Sequence, residues 1–172
     1  SEVYALVGRN PKSNRLLPSI ADLQPSHAVL DIGCGPGAAV RAAAPGVASA
    51  VGIDRSQAMI DIARRRSRRF ENVEYAVGGA ERLPFPDTSF DRAWTIHSFH
   101  HWEDQQLGIL ESLRVLRPEG RLLIVESETT GDHGLDSDRA AELAEQLRAL
   151  GFADAGVSKP HKQLVITGQR SA

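Results

Sequence analysis

Two carboxylates and three glycines in the first third of the chain have the types and spacing of a ligand cradle. Asp31 stands two residues before Gly33, and Gly33, Gly35 and Gly37 alternate with Cys34 and Pro36. Val29, Leu30 and Ile32 form a short apolar run that reads as a buried strand, and residues 38–44 are rich in helix formers. A strand, a glycine turn and a helix start let a ligand lie against bare backbone. Glycine takes positive φ and admits close approach, and the helix start presents unpaired N–H groups and a partial positive charge. The dinucleotide-binding fingerprint is G-x-G-x-x-G, whereas here the spacing is G-x-G-x-G. An acid at position 31 would repel a pyrophosphate but can hold an ammonium group. Asp54, at the end of the next apolar run, is placed to accept two hydrogen bonds from a ribose diol. A ligand with an adenosine diol, a cationic amino-acid tail and no phosphate satisfies both acids, and S-adenosylmethionine is such a ligand.

A second cluster, His97-Ser98-Phe99-His100-His101-Trp102, follows the apolar stretch 90–96. In an open α/β sheet the carboxyl end of a strand faces the ligand crevice. His100 or His101 can deprotonate an incoming hydroxyl or amine, since imidazole titrates near neutral pH. The competing reading is that Phe99 and Trp102 pack while the histidines form a pocket wall. No carboxylate partner is fixed by the local sequence and Cys34 is the single cysteine, so no metal site is expected.

Four stretches in register resemble the class I S-adenosylmethionine-dependent methyltransferases. Val29–Gly37 resembles their first motif. Gly52-Ile53-Asp54-Arg55-Ser56-Gln57-Ala58-Met59 is similar to G-x-D-x-S-x-x-M. Residues 79–91 are similar to G-D-A-x-x-L-P-F-x-D-x-S-F-D, with Gly79 in place of the acid, and residues 116–122 match L-x-P-G-G-x-L with Glu119 for the first glycine. The resemblance runs from Val29 to Glu126 and is closest to the subgroup that holds the ubiquinone and menaquinone biosynthesis methyltransferases. It implies that Asp31, Gly33, Cys34, Gly35 and Gly37 position the methionine part and that Asp54 holds the ribose. Arg55, Ala80 and Glu81 would flank the adenine, and His97 would lie near the methionine end. The cofactor would be S-adenosylmethionine, with S-adenosylhomocysteine as product.

The remaining sequence sets the frame. A chain of 172 residues with formal net charge −2 suits one domain over 1–172, with 1–26 as an N-terminal cap segment in which Tyr4 is a candidate lid residue. Arg64, Arg65, Arg66, Arg68 and Arg69 crowd one helix end, read as a solvated face suited to the negative pole of the dipole; with no aromatic interleaving, nucleic acid is not an expected partner. No apolar run reaches the roughly 20 residues of a membrane span, and no secretory pattern opens the chain, so the cytoplasm is the expected location. The apolar runs and helical stretches alternate. With the resemblance, they imply an α/β fold: a Rossmann-like, seven-stranded, mostly parallel sheet, helices on both faces and a C-terminal antiparallel hairpin. The helix from Asp104 is expected to face inward through Leu107, Leu110, Leu113 and Leu116. Many relatives carry a substrate-covering insertion after the fifth strand; here only a short loop with His133 follows. The pocket is therefore expected to be open, or covered by the N-terminal segment, a homodimer mate or another subunit. The function implied is methyl transfer to an oxygen, nitrogen or carbon of a small molecule. The alternative is a non-catalytic cofactor-binding module that works with a partner.

Overall fold

Short apolar runs punctuated by glycine and proline form strands that pair in parallel, and the helices between them return the chain to the same sheet edge. The computed structural model describes residues 17–129, 135–160 and 163–172; Tyr4 and His133 lie outside these. Strand β1 (Ala28–Ile32) is central. It pairs in parallel with β2 (Ser49–Asp54) on one side and β4 (Phe90–Ile96) on the other. β3 (Val73–Val77) extends the sheet beyond β2, and β5 (Leu116–Ser127) pairs in parallel with β4. β7 (Gln163–Arg170) runs antiparallel between β5 and β6 (Phe152–Ser158), which gives the order β3-β2-β1-β4-β5-β7-β6. The expected seven-stranded sheet with its C-terminal hairpin is therefore present.

Helices cover both faces, as the apolar residues on alternating positions require. On one face α1 (Ala38–Ala43) and α2 (Gln57–Arg66) bury Val40, Ala43, Ile60 and Ala63 with Val29, Ala50, Trp94 and Leu123. Leu17 and Ala21, from the expected cap segment, are fully buried in the same cluster. On the other face α3 (Gln105–Val115) and α4 (Ser137–Ala149) bury Ile109, Val115, Ala140, Leu143 and Leu147 with Leu30, Ile32, Ala93 and Ile124. Ser56, Asp104 and Asp136 cap α2, α3 and α4 by accepting backbone N–H groups of Met59, Leu107 and Arg139.

Two local expectations are corrected, and the entry to β5 is irregular. α2 stops at Arg66, short of the Arg68 and Arg69 expected at its end, because Ser67 turns inward to meet Tyr75. α3 buries Gly108, Ile109, Ser112 and Val115, leaving Leu107 and Leu110 43% and 39% exposed. The cause is Trp102, whose ring lies so close that a Cβ on Gly108 would stand 2.4 Å from it. Only glycine admits that approach, and it sets the rotation of the helix. β5 joins β4 at Leu116↔Phe90, and the register then shifts to Arg92↔Arg121.

One arginine fastens the loop between β3 and β4 to α3. Arg114 donates to the carbonyls of Leu83 and Phe85 at 3.0 and 2.9 Å and to Asp87 at 2.7 Å. It also donates to Glu111 at 2.7 Å, while Glu111 accepts the Leu83 amide at 2.8 Å. Arg114 holds the Glu111 carboxyl below the usual carboxylate range. A depressed folded pKa stabilises the protein above the unfolded value and ceases to do so as the pH falls. Arg114→Ala is expected to destabilise the fold by about 2 kcal/mol, a Tm drop of roughly 5 °C in thermal melts. Glu111→Gln should flatten the loss of stability that the wild type shows below about pH 4.5, the ordinary value of this group.

Candidate active site

Because strands β1 to β5 are parallel, their carboxyl ends bring the glycine turn, Asp54, residues 78–81, His97 and Glu126 to one edge of the sheet. At its centre Gly33, Gly35 and Gly37 all take left-handed φ, at 75°, 51° and 74°. Side chains from below hold the turn in place. A Cβ on Gly33 would stand 2.0 Å from Ser98 Oγ, and one on Gly37 would stand 2.3 Å from the Tyr75 hydroxyl. The Ile53 carbonyl accepts both the Gly33 and Cys34 amides, at 2.8 and 2.9 Å. Cys34 is buried, with its thiol turned toward Gly52 and Tyr75. Burial pushes the Tyr75 phenol up, so it stays neutral and shares a 2.8 Å hydrogen bond with Ser67.

Asp31 is buried at 2% exposure, on the strand that enters this turn and in register with Gly52 and Trp94. Asp54 ends β2 and joins two loops: one oxygen accepts the Gly35 amide at 2.8 Å, the other the Ser56 amide at 2.9 Å. Each oxygen has a second lone pair, so the carboxylate can still receive a diol. The glycine turn thus lies between two carboxylates, Asp31 and Asp54, an arrangement that fits a cationic, diol-bearing ligand such as S-adenosylmethionine.

Ala80 is buried, and Glu81 and Arg55 meet beside it. Arg55 donates to Glu81 at 2.5 Å and also to Glu103. Glu81 in turn accepts the Glu103 and Asp104 amides at 2.8 and 3.3 Å. Partial burial pushes the Glu81 carboxyl up, but its own amide, Arg55 and those two loop amides together hold it low. Its carboxylate therefore ties three loops together at the rim. Gly79, where the resemblance leads one to expect an acid, leaves room for this: a Cβ there would stand 2.6 Å from Arg55 Nε.

On the far side of the turn lies a feature that the sequence reading missed. Glu126, at the end of β5, is fully buried, and it accepts the Phe99 amide at 3.0 Å. Both its oxygens lie against His100 Nδ1, at 3.3 and 3.2 Å. His97 approaches the same carboxylate at 3.9 Å and Ser127 Oγ at 3.4 Å, held by a left-handed backbone with φ 50°. His101 is exposed, with its ring centroid 4.0 Å from that of His100. Burial pushes the Glu126 carboxyl up, against the pull of His100 and the Phe99 and His100 amides. The local sequence carries no sign of this pair; only the register Ile96↔Val125 brings position 126 opposite the histidine turn. Ser98 and Tyr75, which prop the glycines, were missed for the same reason. Among the described residues no cluster of three or more His, Cys, Asp or Glu can hold a metal, and no helix is long and apolar enough to cross a membrane.

Comparison with known proteins agrees with this geometry. Residues 30–124, more than half of the chain, match a family model described as a methyltransferase domain. The uncharacterized methyltransferase YcgJ of Bacillus subtilis (strain 168) is 37% identical over 123 residues, covering 70% of this chain and 49% of that protein. A demethylmenaquinone methyltransferase of Tropheryma whipplei (strain Twist) is 40% identical over 98 residues, 57% of this chain and 41% of that protein. The 27-O-demethylrifamycin SV methyltransferase of Amycolatopsis mediterranei (strain S699) is 35% identical over 151 residues, 81% of this chain and 52% of that protein. The chain thus spans about half the length of these curated relatives. The crystal structure of YcgJ superposes with a TM-score of 0.80 at 22% identity, covering 94% of this chain and 99% of that one. Four sequence motifs in register, the strand order around the glycine turn and the family match lead to one conclusion: the chain belongs to the class I S-adenosylmethionine-dependent methyltransferases.

Proposed function

We propose that this protein transfers a methyl group from S-adenosylmethionine to an oxygen, nitrogen or carbon nucleophile of a small molecule. The observation that carries the reading is the anionic cradle, the three left-handed glycines between buried Asp31 and the Asp54 carboxylate. Asp31 and the 33–37 turn would hold the methionine part, Asp54 the ribose diol, and Arg55, Ala80 and Glu81 the adenine side, with His97 near the methionine end. When bound, the cofactor supplies a methyl carbon already activated by its sulfonium, so no nucleophilic side chain is needed. The chain's share of the work is alignment of the acceptor with that carbon and exclusion of water. The small-molecule methyltransferases among its relatives support an acceptor of that size.

Calorimetric titration with S-adenosylhomocysteine tests the cradle. Saturable binding to the wild type is expected, weakened at least about tenfold in Asp54→Ala, since two hydrogen bonds to a charged group are lost. A folded wild type that binds nothing would end the proposal. Tyr75→Phe removes only the hydroxyl that props Gly37 and meets Ser67, and should lower S-adenosylhomocysteine affinity by a few-fold. Its effect on Tm, from one lost buried hydrogen bond of about 1 kcal/mol, should be about 3 °C.

A further inference from the structure

Resting on that reading of the site, we propose that His100, oriented by Glu126, accepts the acceptor's proton, and that the acceptor is a hydroxyl compound. The first support is position. His100 and Glu126 stand at the carboxyl ends of β4 and β5, next to the glycine turn on the side away from Asp54 and Arg55. That is the end of the cradle left for the reacting methyl once the ribose and adenine lie toward β2 and β3. The second is tautomer control. Glu126 meets His100 through Nδ1, so the carboxylate favours the imidazole with its proton on Nδ1 and its basic lone pair on Nε2, across the ring.

The third support is the burial of the carboxylate. The Glu126 side chain is 1% exposed and that of His100 15%. A fully desolvated carboxylate beside a neutral imidazole is held at a cost, which is why burial pushes its pKa up. Once the imidazole takes a proton, the carboxylate faces a cation in a medium of low polarity. The pair is then better matched than before the proton arrived. A site with that bias is built to receive a proton. The other histidines suit this role less: His101 is exposed, and His97 lies 3.9 Å from Glu126 and faces Ser127.

The acceptor class follows from the chemistry of nucleophiles. A neutral amine presents a lone pair without losing a proton first, and a thiol ionises close to neutral pH. A hydroxyl is a weak nucleophile until its proton leaves, so it gains most from a positioned base. In the step, the O–H proton passes to His100 Nε2 and an oxygen lone pair forms the C–O bond to the methyl carbon. The S–C bond breaks with its electrons remaining on sulfur. The products are a methyl ether, S-adenosylhomocysteine and an imidazolium paired with Glu126, which returns its proton to water.

The test uses the chain saturated with S-adenosylmethionine and matched probes on one aromatic scaffold: 4-methoxyphenol, 4-nitrophenol, the corresponding anilines and the thiophenol. Wild type is expected to form methyl ethers from both phenols. His100→Asn and Glu126→Gln should lower kcat on 4-methoxyphenol by at least about 100-fold, within the range of a lost general base, with S-adenosylhomocysteine affinity unchanged. At pH 9 the same variants should approach wild-type rates on 4-nitrophenol, which arrives already ionised; a merely structural role would depress both probes alike. Methylation confined to nitrogen, sulfur or carbon overturns the proposal. So does equal loss on both phenols, unaltered kcat in the variants, or no methyl ether from protein that binds S-adenosylhomocysteine. Failure to bind S-adenosylhomocysteine at all would instead refute the methyl-transfer reading beneath it.

Discussion

The site depends on a carboxylate that does structural work before any ligand arrives. Asp54 receives the Gly35 amide on one oxygen and the Ser56 amide on the other, and so joins the glycine turn after β1 to the start of α2. Three left-handed residues in five are tolerable because they are glycines, but that freedom also makes the turn costly to order. The neighbouring strand meets the cost locally. The Ile53 carbonyl takes two amides, Asp54 takes a third, and Tyr75 fills the space beneath Gly37. The cradle is therefore shaped from β2, β3 and Ser98 after β4 as well as by its own residues. Changing Asp54 disturbs the ligand surface and its support together.

Across the turn, at β4 and β5, the sheet holds a second carboxylate under different electrostatic terms. Asp54 is satisfied by neutral amides and remains partly accessible, whereas Glu126 is sealed in with two amides and an imidazole. The first environment meets a carboxylate with two charge-assisted hydrogen bonds. The second makes the charge conditional on what its partner carries. The strand order β2-β1-β4-β5 places these two carboxylates on opposite sides of one bare backbone turn. One side is suited to hold a ligand and the other to exchange a proton.

How much of this the sequence discloses depends on how local the determinant is. The cradle lies within nine consecutive residues and one strand end, so the glycine spacing, Asp31 and Asp54 can be read directly, and so can the strands bounded by glycine and proline. The inward face of α3 is not readable, because leucine periodicity points one way while the bulk of Trp102 against Gly108 turns the helix another. Glu126 reads as the last residue of an apolar strand. Its partner is 26 positions away, and only the β4–β5 register makes them neighbours. Where tertiary packing sets which groups meet, spacing carries no trace of it.

The rim on the adenine side shows how a departure from the family pattern can be absorbed. At Gly79 the expected acid is missing, and an acid there would collide with Arg55, whose Nε would lie 2.6 Å from the new Cβ. Arg55 in turn meets Glu81 and Glu103, carboxylates from two other loops. The two contacts are not equal. Glu103 is 78% exposed, so its pairing with Arg55 is screened and weak, while Glu81 is 15% exposed and also accepts two backbone amides. Glu81 is therefore the firmly held partner at this rim, fixed by the backbone of the loop after β4 as well as by the arginine. Glycine at position 79 leaves the space that this pair fills, with Arg55 Nε and Glu81 Oε2 at 2.6 and 2.8 Å from where a Cβ would stand, so the departure from the pattern and the ion pair beside Ala80 are one arrangement.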